Sequence, residues 1–538
     1  MGPAVRRLLP VALWLAATLL FAGCASLPPG IDAPKVESFA LVAPQTTTLG
    51  KRFGARARDH PGLSGLRLLV DGTDSFALRV RIAEKAERTL DVQYFVLQQD
   101  DTGQLLLAAL LAAADRGVRV RILLDDALGI DGGAKDGGGK IRPLAAHENI
   151  EIRVFNPFVA PQELVLLRAF EQVIQIGRLD YRMHNKLFIA DNSIAVTGGR
   201  NIGDEYFQAS TALEFGDFDL AVAGPMVRDL SRTFDLFWND RLAVPVEAQP
   251  LGKPSAADLA ACRATLAEHK QKMKDSEYLA SLTKGDPVQD LLSGKKSLIW
   301  AKAALAYDSP DKASTINGDQ SGQLMWKRVR AAAESTRSDL IIVSPYLVPG
   351  APEMKLIGEL RQRGVRVRIL TNSLASTDMP IVHAGYRHYR EPLLQMGVEL
   401  YEVRRHPGEP ESPRGLIKSA SSGAFALHAK VILFDRDRAF VGSMNFDRRS
   451  LRINTELGLI IDSPQIARQI AERFDAITQP ANSFRVILES SDAAGGPSLK
   501  WVGAKDGNEV KLDTEPGVKP LKRGWIEALS LLPLDGLL

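Results

Sequence analysis

The sequence contains little cysteine and little net charge. Only two of its 538 residues are cysteines, Cys24 and Cys262, which argues against a disulfide scaffold and against a cysteine-rich zinc site. The eight histidines form no HExxH motif, so the common zinc-protease pattern is missing too. The net charge of +3 lacks the strong basic excess of a dedicated nucleic-acid binder. Hydrophobic residues make up 45% of the chain, enough for two to four globular domains.

The N-terminus lacks an apolar run long enough to cross a membrane comfortably. Arg6 and Arg7 precede a 14-residue apolar stretch, Leu8 to Phe21, and the run ends in "LFAGC". This layout resembles a bacterial lipoprotein signal, which would be cleaved after residue 23 and acylated on Cys24. The mature protein is then expected to be exported and attached to the periplasmic face of the inner or outer membrane. An ordinary cleaved signal or an uncleaved anchor is the alternative.

An internal duplication organises the rest of the chain. The octapeptide "RGVRVRIL" occurs unchanged at 116–123 and at 363–370. Each copy follows a helix-like segment and begins an alternating, β-branched run, and another strand-like run precedes each helix. Alternating strands and helices predict an α/β protein whose sheet is largely parallel, with an antiparallel hairpin added.

This duplication divides the chain into six predicted segments. Two duplicated halves are expected to be separated by a charged connector, and they are preceded by a Pro- and Gly-rich tether. The predicted boundaries are 1–23 for the signal peptide, 24–70 for the tether, 71–240 for the first half, 241–315 for the connector, 316–478 for the second half and 479–538 for a C-terminal tail.

Each half carries the same polar pattern on a strand-like run. "RMHNKLFIAD" contains His184, Lys186 and Asp191, and "ALHAKVILFD" repeats their spacing 244 residues later with His428, Lys430 and Asp435. Residues i and i+2 of a strand face the same side, so the histidine and lysine of each copy are expected to project together. The aspartate falls at the turn that follows.

More polar residues recur at matching positions downstream. Asn201 and Asn445 each lie 17 residues after their histidine, preceded by Gly198-Gly199 in one half and Gly442-Ser443 in the other. Aligning Pro225 with Pro464 places Asp217 opposite Glu456. Each half therefore offers a histidine, a lysine, an asparagine and a carboxylate.

The doubled HxKxxxxD pattern followed by GGxN or GSxN resembles the phospholipase D superfamily. Longer stretches, such as "TLDVQYFVLQQDDTGQLLLAALLAAADRGVRVRILLDD" and "HAGYRHYREPLLQMGVELYE", resemble the C-type bacterial cardiolipin synthases. The resemblance implies two α/β halves related by a pseudo-two-fold axis, with one active site at their interface. It also implies transfer of a phosphatidyl group to phosphatidylglycerol through a phosphohistidine.

The resemblance assigns roles to these residues. One histidine attacks phosphorus, with His184 favoured by analogy, and the other moves the proton. Lys186 and Lys430 neutralise phosphate oxygens, while Asn201, Ser443 and Asn445 donate hydrogen bonds to them. Asp217 and Glu456 orient the imidazoles, and Asp191 and Asp435 are expected to be more structural than chemical.

The expected partners are membrane phospholipids, namely phosphatidylglycerol and a phosphatidyl donor, together with the membrane surface. No metal or other cofactor is expected, because the lysines supply the positive charge. No nucleic acid is expected as a partner, because the net charge is close to neutral. The same motifs serve a phospholipase D or another phosphodiesterase, including a nuclease, that uses water as acceptor. A non-catalytic binding protein is a third possibility, although no motif residue is missing from either half.

Other segments invite functional hypotheses. The apolar run Gln162–Leu179 predicts a helix roofing the active site, or else a core helix. A terminal run with Trp525, Ile526, Leu529 and Leu532 at helical spacing predicts either core packing or an interfacial helix. The glycine-rich run Gly129–Lys140 lacks the spacing of a phosphate loop and is expected to be a flexible loop. Four aromatic residues could line a head-group pocket or be structural: His383, Tyr386, His388 and Tyr389.

Overall fold

The computed structural model describes most of the chain. The predicted signal peptide, Cys24, the loop Gly129–Lys140, residues 162 and 163 and Leu532 lie outside the described residues. The described ranges are 30–127, 141–160, 164–312, 324–407, 423–489, 497–505 and 507–531.

The first half is built from short strands, most of them fully buried. This burial follows from their composition, because Val, Ile, Leu and Ala fill both faces of the central strands. Its strands are β1 (Ser64–Leu69), β2 (Thr89–Tyr94), β3 (Arg119–Asp125), β4 (Ile150–Phe155), β5 (Leu187–Ala190), β6 (Ile194–Gly198), β7 (Leu213–Gly216), β8 (Asp219–Ala223) and β9 (Ala243–Pro245).

The second half and the C-terminal region repeat this plan. Both copies of the octapeptide form strands, β3 in the first half and β13 in the second, as the alternation predicts. The further strands are β10 (Ile299–Tyr307), β11 (Asp339–Val343), β12 (Leu347–Val348), β13 (Arg366–Asn372), β14 (Glu399–Val403), β15 (Ala424–Leu427), β16 (Val431–Phe434), β17 (Arg438–Gly442), β18 (Phe446–Asp447), β19 (Leu457–Asp462), β20 (Ser483–Glu489), β21 (Ser498–Lys505) and β22 (Asn508–Leu512).

Helices cover the sheet and form the arm between the halves. Several begin at a serine, threonine or aspartate whose side chain accepts a backbone N–H, as Asp100 does from Gly103. The helices are α1 (Thr48–Arg58), α2 (Gly72–Lys85), α3 (Asp101–Asp115), α4 (Val165–Ile174), α5 (Ile176–Leu179), α6 (Pro225–Trp238), α7 (Ala256–Lys272), α8 (Glu277–Thr283), α9 (Pro287–Ser293), α10 (Leu324–Glu334), α11 (Ala351–Gln362), α12 (Pro380–Gln395), α13 (Arg448–Arg452), α14 (Pro464–Ile477) and α15 (Pro520–Ser530).

The two halves share one continuous sheet with matching strand order. The first half runs β9–β4–β3–β2–β5–β6–β8–β1. Written in the same direction, the second half runs β22–β21–β20–β14–β13–β11–β16–β17–β19. Strand β10 pairs with both β1 and β19 and joins them. The strands β2, β3 and β4 are parallel, as are β11, β13 and β14, and the other pairings in this sheet are antiparallel.

The pairings revise the predicted tether, connector and tail. Part of the predicted tether 24–70 is folded, since it contains α1 and β1, and β1 pairs with β8 of the first half. The predicted connector 241–315 contains β9 and β10, and β10 is the strand that joins the halves. The predicted tail begins with β20, which extends the second half beside β14. The apolar residues of β1, β10 and β20 suit strands, but the sequence alone did not reveal which neighbouring strands they pair with.

The core crosses the boundary between the halves. Leu66, Leu220 and Leu305 pack in one cluster with residues of the second half such as Val441 and Leu459. Burial of this apolar area stabilises the two halves as one unit. Within the described residues, every helix is too short or too polar to span a bilayer.

Candidate active site

The two histidine–lysine pairs lie just before a strand rather than inside one. Strand β5 begins at Leu187 and β16 begins at Val431, so each histidine precedes its strand by three residues. This differs from the strand predicted for "RMHNKLFIAD". The physical reason is that the backbone N–H groups of the histidines bond across to the opposite half and not to a strand of the main sheet.

These bonds between the halves place each histidine in the site. The N–H of His184 donates to the carbonyl of Thr455 at 2.9 Å, and the N–H of His428 donates to the carbonyl of Gly216 at 2.8 Å. Strands β7 and β15 pair in parallel in the second case, and an isolated bridge joins Met183 to Thr455 in the first. Thr455 and Gly216 directly precede the two predicted carboxylates.

Each histidine is therefore paired with the carboxylate of the other half. The Nδ1 of His184 lies 2.9 Å from Oε2 of Glu456, and the Nδ1 of His428 lies 2.6 Å from Oδ2 of Asp217. Both carboxylates are fully buried. A buried carboxylate that holds Nδ1–H fixes the tautomer and leaves Nε2 as the ring nitrogen for a substrate. The sequence predicted all four residues but not this exchange.

The lysines lie beside their histidines, as the two-residue spacing predicts. The ammonium of Lys186 donates to the carbonyl of His184 at 2.7 Å, and the ring of Phe95 contacts both side chains. In the second half, the ammonium of Lys430 lies 3.0 Å from Nδ1 of His428. The side chains of Lys186 and Lys430 are both buried, and each lies close to the histidine of its own half.

The charge states differ between the two sets. Burial raises the pKa of Glu456 to about 7 and lowers that of Lys186 to about 7. Burial and the charge of Lys186 hold the pKa of His184 well below its usual value. Burial opposes the ionisation of Asp217, but the hydrogen bond from His428 prevails and keeps the Asp217 pKa below normal. Burial and the charge of Lys430 lower the pKa of His428 as well, but its hydrogen bond with Asp217 opposes this shift. Around pH 7, Asp217 is therefore ionised, Glu456 is only partly ionised, and His184 is neutral.

Asp191 and Asp435 lie away from the histidines, at the far ends of their strands. The carboxylate of Asp191 accepts the backbone N–H groups of Glu87, Arg88 and Thr89 at 2.8–3.0 Å. Asp435 accepts those of residues 337–339 in the same way. Both aspartates have φ near +50°, which suits the tight hairpin turn. This geometry agrees with the structural role that was predicted for them.

The three residues predicted to bind phosphate differ in availability. The hydroxyl of Ser443 donates to Oε2 of Glu456 at 2.5 Å, so this proton is already committed to the carboxylate. Asn201 donates to the hydroxyl of Tyr206 at 3.0 Å. The Oδ1 atoms of Asn201 and Asn445 are buried and have no partner among the described residues. We therefore assign Ser443 to positioning Glu456. An amide oxygen accepts and cannot bind a phosphate oxygen, so donation to phosphate by the Nδ2 groups of the two asparagines stays a prediction.

Several residues of the site were not predicted from the sequence. The rings of Phe95 and Tyr206 meet His184 and His428 edge-on, with centroid distances of 4.9 and 5.0 Å. Phe95 directly follows β2, so its place at the C-terminal edge of a parallel strand was a usable signal. The carboxylate of Asp308 accepts the backbone N–H of Glu456 at 3.2 Å and forms an ion pair with Lys312. Asp308 and Lys312 belong to the predicted connector, so this segment helps to hold Glu456 in place.

The aromatic residues predicted on α12 fall into two groups. His383 and Arg390 both bond to Glu515, and Tyr386 bonds to Glu402 at 3.0 Å. His388 bonds to the carbonyl of Ser530 at 2.7 Å. These contacts attach α12 to the C-terminal region, which favours the structural alternative for His383 and Tyr386. His388 and Tyr389 line a cavity of about 680 Å³ beside Arg448 and Arg452, so a head-group role for these two residues stays a prediction.

Gly199 tests the geometry of one pair. A Cβ added there would lie 2.2 Å from Oδ1 of Asp217, so Gly199→Ala must displace the carboxylate that holds His428. Displacing a catalytic group by about 1 Å costs roughly 10²-fold in rate, and we expect a fall in kcat of that size. Gly54→Ala is the control, because its nearest atom is 4.0 Å away on a flexible arginine. Unchanged kcat in Gly199→Ala, measured in the same assay, would contradict this role for Asp217.

Comparison with known proteins identifies the family. The family model described as "Cardiolipin synthase, PLD-like domain" matches residues 80–230 and 329–478. The chain is 38% identical to Cardiolipin synthase C of Escherichia coli (strain K12) over 483 residues, covering 89% of this chain and 97% of that protein. The chain belongs to this family. Cardiolipin synthase B of the same strain is 25% identical over 412 residues, or 77% of this chain and 80% of that one.

A solved structure confirms the predicted fold of this cardiolipin synthase family member. The crystal structure of phosphatidylserine synthase from Haemophilus influenzae Rd KW20 matches with a TM-score of 0.52, at 14% identity, over 90% of this chain and 98% of that one. With the two matched domains, it confirms the prediction of two phospholipase D-like halves. Among the described residues, no group of three His, Cys, Asp or Glu side chains is arranged to hold a metal.

Proposed function

We propose that this family member is a phosphatidyltransferase of the cardiolipin synthase type, and that it works through a phosphohistidine. The observation that carries the proposal is the pair of buried histidine–carboxylate sets facing each other across the two halves, in a chain 38% identical to Cardiolipin synthase C. A phosphodiester bound between the sets would meet a nucleophile on one side and a proton donor on the other, as in-line displacement requires.

The asymmetry of the two sets favours His184 as the nucleophile. Burial holds the pKa of His184 well below its usual value, and Glu456 holds its Nδ1–H, so the lone pair on Nε2 is available. Burial and Lys430 lower the pKa of His428 too, but its hydrogen bond to ionised Asp217 at 2.6 Å opposes this shift and stabilises the imidazolium needed to carry a proton. This assignment agrees with the choice made by analogy from the sequence.

In the first step, Nε2 of His184 attacks the phosphorus of the donor phospholipid. The bond to the leaving alcohol breaks, and the proton on His428 passes to that oxygen. In the second step, the hydroxyl of phosphatidylglycerol gives its proton to His428 and attacks phosphorus, and the phosphorus–nitrogen bond breaks. Cardiolipin and free His184 result. Lys186 and Lys430 neutralise the nonbridging oxygens throughout.

Purified protein and phosphatidylglycerol vesicles test this function. We expect cardiolipin, with release of one glycerol per cardiolipin when phosphatidylglycerol is also the donor. Adding other phospholipids one at a time identifies the preferred donor from the alcohol that is released. Phosphatidic acid as the sole product at every phosphatidylglycerol concentration would contradict the proposal and establish hydrolysis.

We also propose that the protein is anchored by an acylated Cys24 on the periplasmic side of a membrane. The support is the "LFAGC" signal after two arginines, and a membrane-lipid substrate is compatible with such an anchor. Labelling cells with a radioactive fatty acid checks this. The label should enter the wild-type protein and be lost in Cys24→Ser, and equal labelling of both would contradict the anchor.

A further inference from the structure

Helix α4 has its hydrophobic side turned outward. Leu166 and Val173 are 87% and 72% exposed, and Glu171 is the buried residue of this helix. A surface helix of a soluble protein normally buries its apolar stripe and exposes its charges. Seven apolar side chains of α4, its flanking residue and α5 are exposed together: Leu164, Val165, Leu166, Leu167, Phe170, Val173 and Ile176.

Polar bonds on the opposite side fix this orientation. Glu171 accepts the backbone N–H groups of Val159 and Ala160 at 2.8–3.1 Å. Arg168 pairs with Asp126 at 3.2 Å, and Arg178 pairs with Glu171 at 3.2 Å. Because the charged side chains are matched within the protein, rotating the helix to bury its leucines would break these ion pairs. The outward apolar face is therefore part of the folded arrangement.

This helix lies at the sheet edge that carries the histidines. Asp126, its partner, follows Asp125 at the end of β3, and Asp125 accepts the backbone N–H of Met183 at 2.8 Å. Met183 directly precedes His184. The chain of contacts from α4 to the proposed nucleophile is therefore short: Arg168 binds Asp126, and the adjacent Asp125 binds the residue before His184.

The second half presents a similar surface at its own histidine edge. Helix α15 packs Ile526 against Leu374, yet Leu521 and Trp525 remain 90% and 55% exposed. Leu374 comes two residues after β13, whose last residue, Asn372, bonds to the backbone beside His428. Lys519, Lys522 and Arg523 accompany the exposed tryptophan, a composition typical of helices that lie in a membrane interface.

We infer that α4 and α15 form a membrane-docking face, defined by the exposed apolar residues of 164–176 and by Leu521 and Trp525. Its occupant is the surface of a phospholipid bilayer, and the inference rests on the proposed function. A diacyl lipid gives up a large apolar contact when it leaves a bilayer, so a buried histidine must be brought to the interface. Lys519, directly before α15, is exposed and complements the anionic head group of phosphatidylglycerol. Lys522 and Arg523 add positive charge nearby while donating to backbone carbonyls of the protein.

Spin labels test the position of this face in the full-length, anchored protein. Leu166→Cys and Val173→Cys, each carrying a nitroxide, are reconstituted with phosphatidylglycerol-containing vesicles. We expect collisions with apolar oxygen to rise at least several-fold relative to collisions with a polar nickel complex when vesicles are added. Val42→Cys and Leu251→Cys, which are comparably exposed elsewhere, should show no such change.

Two other outcomes would overturn the inference. Labels at 166 and 173 that stay as accessible to nickel as the controls would place α4 in water. Dipolar broadening between labels on two molecules, without a depth signal, would show that a second copy covers the face.

An activity ratio separates this inference from the proposed function. The ratio compares turnover of vesicle lipid with turnover of monomeric, short-chain phosphatidylglycerol. The double substitution Leu166→Asn with Val173→Asn should lower the ratio about 10-fold, while Val42→Asn with Leu251→Asn should leave it at the wild-type value. An unchanged ratio contradicts docking. Wild-type protein inactive on both substrates contradicts the proposed function, and the spin-label depth still decides the membrane-docking face.

Discussion

Replacing His184 with alanine is expected to abolish both phosphatidyl transfer and the covalent intermediate. The nucleophile supplies the only bond that joins the phosphatidyl group to the enzyme between the two steps, so the loss in kcat should be about 10⁴-fold. His428→Ala should lose a comparable factor with natural phospholipids, because the leaving alkoxide then departs without a proton. The two variants differ in the step at which they fail.

A phosphatidyl ester of p-nitrophenol separates these failures. Its phenolate leaves without protonation, so His428→Ala should still release one equivalent of p-nitrophenol per enzyme and accumulate phosphohistidine. His184→Ala should release none. Mass spectrometry of a tryptic digest, kept at neutral to alkaline pH, would detect the phosphatidyl group on residue 184.

The control is an exposed histidine outside the site, His406, whose replacement with alanine should leave turnover at the wild-type level. A burst in His184→Ala with none in His428→Ala would reverse the assignment of the nucleophile. Full activity in either variant would rule out the shared site altogether.

Replacing the buried carboxylates is expected to have the second largest effect. Asp217→Asn and Glu456→Gln preserve shape but remove the charge that holds each Nδ1–H, and losses of about 10²- to 10⁴-fold in kcat follow. Because Asp217 holds His428 and Glu456 holds His184, each substitution should impair the step that its histidine carries out. Asp217→Asn should behave like His428→Ala and keep the p-nitrophenol burst, whereas Glu456→Gln should slow the burst itself.

Glu456 also predicts a pH dependence. Its pKa of about 7 means that the carboxylate is protonated below pH 7 and ionised above it. The ionised form is the stronger acceptor for Nδ1–H of a neutral His184, so the burst rate should rise as the pH approaches 7 from below. Above pH 7 the rate should fall again, because Lys186, whose pKa is also about 7, loses the charge that neutralises phosphate. Rapid-mixing measurements of the burst across pH 5.5–8.5 check this, and Glu456→Gln should lack that rise.

Two results would contradict this account of the carboxylates. The first is a slowed burst in Asp217→Asn with a normal burst in Glu456→Gln, which would mean that each carboxylate serves the histidine of its own half. The second is a Glu456→Gln profile that keeps the rise near pH 7, which would assign that ionisation to another group.

Much of the site was predictable because it depends on spacing. A two-residue interval in an extended segment places a histidine and a lysine on one side, and the structure confirms this at His184 and His428 even though neither lies within a regular strand. The octapeptide repeat likewise predicted two similar halves, which the strand order confirms.

Features that depend on long-range partners were not predictable. The strands β1 and β10 were assigned to a tether and a connector because their short apolar runs carry no sign of which edge they join. Helix α4 was expected either to roof the site or to pack in the core, since its apolar density is the same in both cases. Its outward orientation is set largely by the ion pair from Arg168 to Asp126, a residue 42 positions earlier in the chain that only the fold brings beside the helix.

The sequence by itself determined the chemistry: two histidines, two lysines and two carboxylates, each set repeated at a spacing that brings its members to one side of the chain. The tertiary structure decided how the sets combine. Parallel pairing of β7 with β15, and of Met183 with Thr455, carries each carboxylate across to the histidine of the opposite half. Local spacing fixes which residues share a face, but contacts between segments more than 200 residues apart form only when the two halves pack together.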